Sequence, residues 1–295
     1  MKNTHNWLVT QFEAERPRLR AIAYRMLGSL TEAEDAVQES WLNLSSSDTS
    51  TVSNLSGWLT TVVARVCLNM LRTRKSRRED SLEASEPEAV TGDKREVNPE
   101  QEMELADSVG LALLVVLDQL APAERLAFVL HDIFAVSFDE IAPIVERSEA
   151  ATRQLASRAR RRVRGKASMQ DADIATSRDV VEAFLAAARE GSFEALLAVL
   201  DPNIVVRFDS QDVPVGAPRE MHGAAVVAKM LVEHSQIFRA CQVALVNGFV
   251  GIVVAPYARL IAVGDLLIKD GKITIFTAIL DPVRLRQLHL AVLND

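Results

Sequence analysis

Apolar residues recur at intervals of three and four through most of the first 166 positions, and give way to alternating patterns in the last third. Leu19, Ile22, Ala23, Met26 and Leu27 share one helical face. They lie in a helical block from about Trp7 to Leu44 that Gly28-Ser29 interrupts. Thr31, with Glu34 three positions on, has the form of a capping box for the next helix. That helix puts Ala33, Val37, Trp41 and Leu44 on one face, while Glu34, Asp35, Gln38 and Glu39 point elsewhere. Ser45–Ser56 is polar and aperiodic and reads as a loop. From Gly57 the helical pattern resumes as GWLTTVVARVCLNMLRTRKSRR, apolar in its first half and basic in its last turns.

Glu79 to about Met103 has few large apolar residues and contains Pro87, Gly92 and Pro99, as a linker does. Leu105–Gln119 is again apolar and helical, and Pro122 suits the first turn of a helix PAERLAFVLHDIF. A short amphipathic helix then runs from Phe138 to about Val145. A polar break follows at Glu146-Arg147, and Ser148 can cap a second helix by accepting an orphan backbone N–H. Two helices across a tight turn are the layout of a helix-turn-helix.

Beyond Lys166 the reading changes to helices over Ser177–Arg189 and Ser192–Leu200, a strand over Ile204–Phe208, and a helix over Ala224–His234. Gln242–Val246 and Phe249–Val254 flank Asn247-Gly248, and Arg259–Ile268 and Lys272–Leu280 flank Asp270-Gly271. Both pairs predict hairpins. Asp281-Pro282 opens a last helix. Helices followed by antiparallel strands predict an α+β domain.

Charge sharpens this picture only when taken by segment. The whole chain carries a net charge of −7, which hides its sorting. Leu59–Arg78 holds six basic residues (Arg65, Arg72, Arg74, Lys75, Arg77, Arg78) and no acid, and Ala150–Lys166 holds seven and none. Between them, Glu79–Asp107 holds eleven acids and two bases. Two positive patches joined by an acidic connector suit a protein that touches DNA at two places. A helical hairpin with a solvated basic face is the plainer alternative. Within the helix-turn-helix, Ser148, Glu149, Thr152 and Arg153 stand where base edges are read, whereas Arg158, Arg160, Arg161 and Arg164 suit phosphates.

Other chemistry is sparse. Cys67 and Cys241 fall in separate apolar stretches and read as buried free thiols, and no Cys/His cluster has metal-ligand spacing. No metal or cofactor is expected. With no long apolar run and no signal-like start, the chain is expected to be cytoplasmic.

The order of parts resembles the sigma-70 family of RNA polymerase sigma factors, extracytoplasmic-function class. The residues that carry the resemblance are RLRAIAYRMLGSLTEAEDAVQESWL, GWLTTVVARVCLNMLRTRKSRR, LDQLAPAERLAFVLHDIFAVSFDEIA and SEAATRQLASRARRRV. The resemblance implies a multidomain protein. A region 2 helical bundle covers 1–78, an acidic linker 79–106, and a region 4 helix-turn-helix domain 107–168. It assigns core RNA polymerase binding to Asp35, Gln38, Glu39 and Trp41. Promoter DNA at the −10 element is assigned to the Ser45–Ser56 loop with Trp58, Asn69, Arg72 and Lys75, although Trp58 serves equally well as a core anchor. The −35 element falls to Ser148, Thr152, Arg153, Arg158, Arg160, Arg161 and Arg164. Residues 174–295 resemble a SnoaL-like domain, a cone-shaped α+β fold. A subgroup of these sigma factors carries one as a regulatory extension in cis. The subgroup's glycine-rich DGGGK-like segment is replaced here by DSQDVPVGAPREMHG, its NPDKL-like segment survives in part as DPVRL, and SLEASEPEA stands in place of its WLPEP-type motif.

Two rival readings remain. One is a one-component transcription regulator with a small-molecule ligand in the C-terminal domain. The other is a SnoaL-type enzyme fused to a DNA-binding module, with Asp209, His222, His234 and Asp265 as the available acid/base groups. The leading expectation is a sigma factor without catalysis of its own.

Overall fold

The computed structural model describes residues 2–47, 54–83, 110–165, 171–209, 219–256 and 259–293. Residues 48–53 of the expected Ser45–Ser56 loop, most of the acidic linker and most of the 209–223 segment lie outside the described residues, and the two ends of that loop, Ser45-Ser46 and Leu55-Ser56, are helical. The chain divides into two compact units, 1–105 with 117–160, and 106–116 with 161–295.

In the first unit, helices α1 (Lys2–Leu27), α2 (Leu30–Ser46) and α3 (Leu55–Glu83) pack together. Their core is the expected face of α1 (Leu19, Ile22, Ala23, Met26, Leu27) against Ala33, Val37 and Leu44 of α2 and Leu59, Val63 and Cys67 of α3. The start of α2 differs from expectation. Ser29, not Thr31, is the cap, and its Oγ accepts from the Glu32 N–H at 3.4 Å. Helix α2 therefore begins two residues earlier; Glu34 pairs with Arg16 and Arg20 of α1, and Glu32 pairs with Arg74 of α3. Helix α3 is capped by Asn54, whose Oδ1 accepts from the Gly57 N–H at 3.0 Å. A side chain at Gly57 would put its Cβ 2.8 Å from the Asn54 amide nitrogen, so this position keeps the cap unhindered.

Helices α4 (Leu111–Asp118), α5 (Pro122–Phe128) with a π turn at Val129–Ile133, α6 (Phe138–Val145) and α7 (Glu149–Arg164) follow. Pro122 occupies the first turn of α5, as its missing N–H allows. Helix α6 starts in a capping box between Ser137 and Glu140. It ends at Glu146, which adopts the left-handed conformation (φ 57°) that turns the chain into α7.

In the second unit, helices α8 (Asp171–Glu190), α9 (Phe193–Val199) and α10 (Ala224–Glu233) pack against one seven-stranded sheet. The strands are β1 (Leu200–Phe208), β2 (Glu220–His222), β3 (Cys241–Val246), β4 (Phe249–Val254), β5 (Ala262–Lys269), β6 (Lys272–Ile279) and β7 (Leu290–Ala291), in spatial order β2-β1-β6-β5-β4-β3-β7. Both expected hairpins form. Asn247-Gly248 and Asp270-Gly271 have positive φ at both positions, the geometry that matches strand twist. The sheet is not wholly antiparallel, because β1 pairs with β6 in parallel. Helix α11 (Pro282–Gln287) is capped by Asp281, which accepts from the N–H groups of Val283 and Arg284. The core gathers Val181, Phe184, Leu185 and Ala188 of α8 over Cys241, Leu245, Val250, Ile252, Leu266 and Ile273 of the sheet. The molecule is thus two all-α segments followed by an α+β domain, the expected fold class. Among the described residues no helix is long and apolar enough to cross a membrane.

Candidate nucleic-acid interface

Helix α7 presents its basic residues over a buried seam. Thr152, Ala156, Ala159 and Val163 recur at helical spacing and are buried, which fixes which side faces outward. Ser148 caps the helix, its Oγ accepting from the Ala151 N–H at 3.3 Å. Arg153, Arg158, Arg161 and Arg164 are exposed on the outer side.

The arginines are not equivalent. Arg153 pairs with Glu149 one turn earlier and lies over the Phe138 ring, 5.6 Å from its centroid. Phe138 in turn stacks on His131 at 3.8 Å. The turn between α6 and α7 is therefore braced by an aromatic pair under a guanidinium. Arg158 Nε meets Glu124 Oε1 at 2.9 Å, and Arg160 Nε meets Asp132 Oδ1 at 2.9 Å. These two link α7 back to α5 and its π turn, while each keeps a substantial exposed fraction.

Thr152 is placed differently from the base-reading position it was assigned. Its side chain is fully buried, and its hydroxyl donates to the Ser148 carbonyl at 3.0 Å. A threonine fits there because its methyl faces the seam while its hydroxyl is satisfied within the helix. It cannot reach a base edge without leaving that seam.

On α2, Asp35, Gln38 and Glu39 are exposed and contiguous in helical projection, and Leu42 beside them is 59% exposed. Trp41 is half-buried, packed on Phe12 of α1 with ring centroids 5.0 Å apart. This is an acidic face with an apolar edge. On α3, Arg65, Asn69 and Arg72 are exposed at spacings of four and three and so share a face. Trp58 is half-buried in the first turns. Lys75 lies on the same helix, and its side chain is outside the described residues. Arg74, by contrast, is turned inward to Glu32 and to the Leu27 carbonyl.

One functional candidate was not expected. Arg125 of α5 is 2% exposed. Its Nε donates to the Arg25 carbonyl at 3.1 Å and its Nη1 to Asp118 at 3.3 Å. Burial holds its pKa down to about 10, against the raising effect of Asp118. The sequence signal was its helical spacing from Phe128 and Val129, which puts a charge on the apolar face of α5.

In the sheet domain the four acid/base groups are scattered. Asp209 is paired with Arg284. His222 is exposed beside Glu220 at 3.5 Å, His234 Nδ1 lies 2.9 Å from its own helix's Met230 carbonyl, and Asp265 is exposed. None of them lines the open apolar groove of about 420 Å³ formed by Leu197, Leu200, Pro202, Gly223, Ala224 and Val226. Both cysteines are buried, and burial pushes each thiol up to about 12.

The second unit also holds the last residues of α7. The Val292 N–H donates to the Val163 carbonyl at 2.8 Å, and the Ala112 N–H donates to Gln242 Oε1 at 2.9 Å. Gly165, at φ 63°, lies so close to Ala291 that an added Cβ would be 2.4 Å from the Ala291 Cβ.

Residues 11–77 match the family model for sigma-70 region 2, and residues 110–163 that for sigma-70, region 4. The chain is 36% identical over 287 residues to the ECF RNA polymerase sigma factor SigJ of Mycobacterium tuberculosis, covering 93% of this chain and 92% of that one. It is 35% identical over 217 residues to the probable ECF RNA polymerase sigma factor SigI of the same species, covering 73% and 75%. The crystal structure of M. tuberculosis SigJ aligns with 94% of this chain and 98% of its own, at 32% identity and a TM-score of 0.44.

Proposed function

This chain belongs to the extracytoplasmic-function class of sigma-70 family sigma factors, and on that premise we propose that it binds core RNA polymerase and directs it to promoters with −10 and −35 elements. The observation that carries the reading is α7, whose outer arginines stand over a buried seam immediately after a left-handed turn at Glu146. That arrangement presents a helix to the major groove with its cations outward. Ser148 and Arg153 are the base-reading candidates. Arg158, Arg161 and Arg164 hold phosphates, and Arg160 joins them once released from Asp132. Thr152 supports the helix rather than reading DNA.

The acidic face of Asp35, Gln38 and Glu39, with Trp41 behind it, docks on the polymerase. The Asn69–Arg72 face of α3, with Lys75 and Trp58, holds the −10 strand and helps to open the duplex. Opening needs cations for the displaced strand and a surface for unstacked bases. The C-terminal domain modulates these steps in cis. The Val163–Val292 and Ala112–Gln242 hydrogen bonds support this, because they tie both ends of the helix-turn-helix segment to the sheet domain. A small-molecule ligand in its apolar groove would supply the signal.

Promoter-directed transcription with purified core polymerase tests the reading. Stimulation from a matching promoter is expected, and none from any promoter in a genomic library would overturn it. Asp35→Lys should weaken polymerase binding about tenfold or more by reversing charge at a docking face, read by titration against core enzyme. It should leave the fold intact, because Asp35 is exposed.

A further inference from the structure

Helix α7 carries one acidic residue, Glu149, and it stands at the end that a recognition helix turns to the bases. Every other charge on the helix is an arginine. Glu149 pairs with Arg153 one turn on, and the two side chains are 46% and 61% exposed, so both are open to a ligand. A carboxylate suits a helix start through the dipole, but Ser148 already accepts an N–H there, and DNA phosphates repel it.

The pair is held from below. The Arg153 guanidinium lies over the face of Phe138, and Phe138 stacks on His131 with an interplanar angle of 28°. Phe138 is the first residue of α6, fixed by the Ser137–Glu140 capping box. His131 is placed by the π turn. There the Phe134 N–H reaches back to the Val129 carbonyl at 3.2 Å, one residue further than in an α-helix. His131 Nδ1 lies 3.0 Å from the Val136 carbonyl, which can only accept, so Nδ1 carries the proton and the ring is locked in orientation. An arginine has many rotamers to lose when it is fixed on a base. The ring beneath it and the carboxylate beside it restrict those rotamers before DNA arrives.

The major-groove edge of a G·C pair offers two acceptors, guanine N7 and O6, and then a donor, cytosine N4. A guanidinium fork beside a carboxylate is the complement of that whole edge. An A·T pair turns the adenine N6 donor toward the guanidinium and the thymine O4 acceptor toward the carboxylate, so both halves of the pair reject it. We propose that Glu149 and Arg153 read one G·C base pair of the −35 element as a unit, Arg153 on guanine and Glu149 on cytosine, and that Phe138 on His131 is the positioning residue for this reader. This deepens the reading of α7 as the −35 helix and rests on it.

The test measures binding of core RNA polymerase carrying the full chain to promoters in which each −35 position holds each of the four base pairs. One position should prefer G·C by about tenfold, and Arg153→Ala should abolish that preference. At that position 7-deazaguanine, which lacks the N7 acceptor, should weaken the parent but not Arg153→Ala. N4-methylcytosine opposite it should weaken the parent about fivefold and leave Glu149→Ala unaffected. Phe138→Leu should lower the G·C preference about threefold, with the other positions and the salt dependence unchanged, whereas Phe138→Tyr should keep it. Should Phe138→Leu fail to fold, His131→Ala reads the same loss. An A·T pair at the position governed by Arg153, or an N4-methylcytosine penalty that survives Glu149→Ala, would overturn the paired reader. Equal losses at every −35 position in Phe138→Leu, or a Phe138→Tyr that behaves like it, would overturn the positioning role. A parent with base preferences that Arg153→Ala leaves in place sinks this reader and spares the promoter reading, while a parent with no preference at any −35 position sinks both.

Discussion

Glu146 and Thr152 sit six residues apart and show how differently single positions in one motif are constrained. Glu146 holds φ 57° with no glycine to ease it, so its Cβ crowds the backbone at the turn. Glu146→Gly should stabilise the fold by about 1 kcal/mol, net of the extra freedom glycine brings to the unfolded chain. Thermal melting checks this, and a lower melting temperature would show that the Glu146 side chain contributes more than its strain costs. Thr152 is constrained by burial. Thr152→Ala should cost about 1 kcal/mol of stability through the lost methyl and hydroxyl contacts, yet leave promoter affinity of the folded protein within about twofold. Arg153→Glu should behave in the opposite way, leaving melting nearly unchanged and cutting promoter affinity about tenfold or more. Melting and gel-shift titration of the same pair of variants separate the two roles. The basic character of α7 was legible in its residue types, but the split between Thr152 and Arg153 was not. Adjacent positions on a helix point about 100° apart, and only the packed seam says which one faces out.

Among the elements, caps and turns were the most legible because they act over three or four residues. Asn247-Gly248, Asp270-Gly271, Asp281-Pro282, Pro122 and Ser148 all do locally what their residue types suit them to do. The start of α2 was misread for a physical reason. Thr31 with Glu34 has the right chemistry for a cap, but so does Ser29, and the Glu34 side chain that a Thr31 box would need is taken by Arg16 and Arg20 of α1. The end of α7 is decided by tertiary contact as well. Gly165 combines φ 63° with a van der Waals seat on Ala291. Gly165→Ala should therefore cost about 2 kcal/mol or more, from backbone strain and overpacking together. Adding Ala291→Gly should recover the overpacking part alone, which a double-mutant cycle in denaturant reads directly.

At the scale of the whole molecule, a chain with net charge −7 approaches a polyanion only through local concentrations of positive charge. Binding to promoter DNA should weaken steeply with salt, because each phosphate neutralised releases counterions. Arg161→Gln and Arg164→Gln should each reduce the slope of log affinity against log salt by about one, without changing base preference. Titrations of two unrelated promoters at several salt concentrations provide the measurement, and an unchanged slope would remove those residues from the phosphate set. Domain organisation is partly a property of this scale. The residue pattern separates a helix-turn-helix segment from an α+β segment. The compact units cut that boundary differently, taking Leu111–Val116 and the end of α7 with the sheet.

The sequence by itself determined that these segments are helices, the caps at Ser148 and Asp281, the hairpin turns, the two basic surfaces and the family. Each of these rests on residue types at short spacing or on motifs that such spacing preserves. Tertiary structure alone decided that β1 runs parallel to β6, that Thr152 faces inward, that Arg74 serves Glu32 rather than solvent, and that Arg125 is buried on the Arg25 carbonyl. These depend on partners tens of residues away. A charged residue on an apolar helical face is visible in a sequence, but whether water or another backbone satisfies it is settled only when the chain closes.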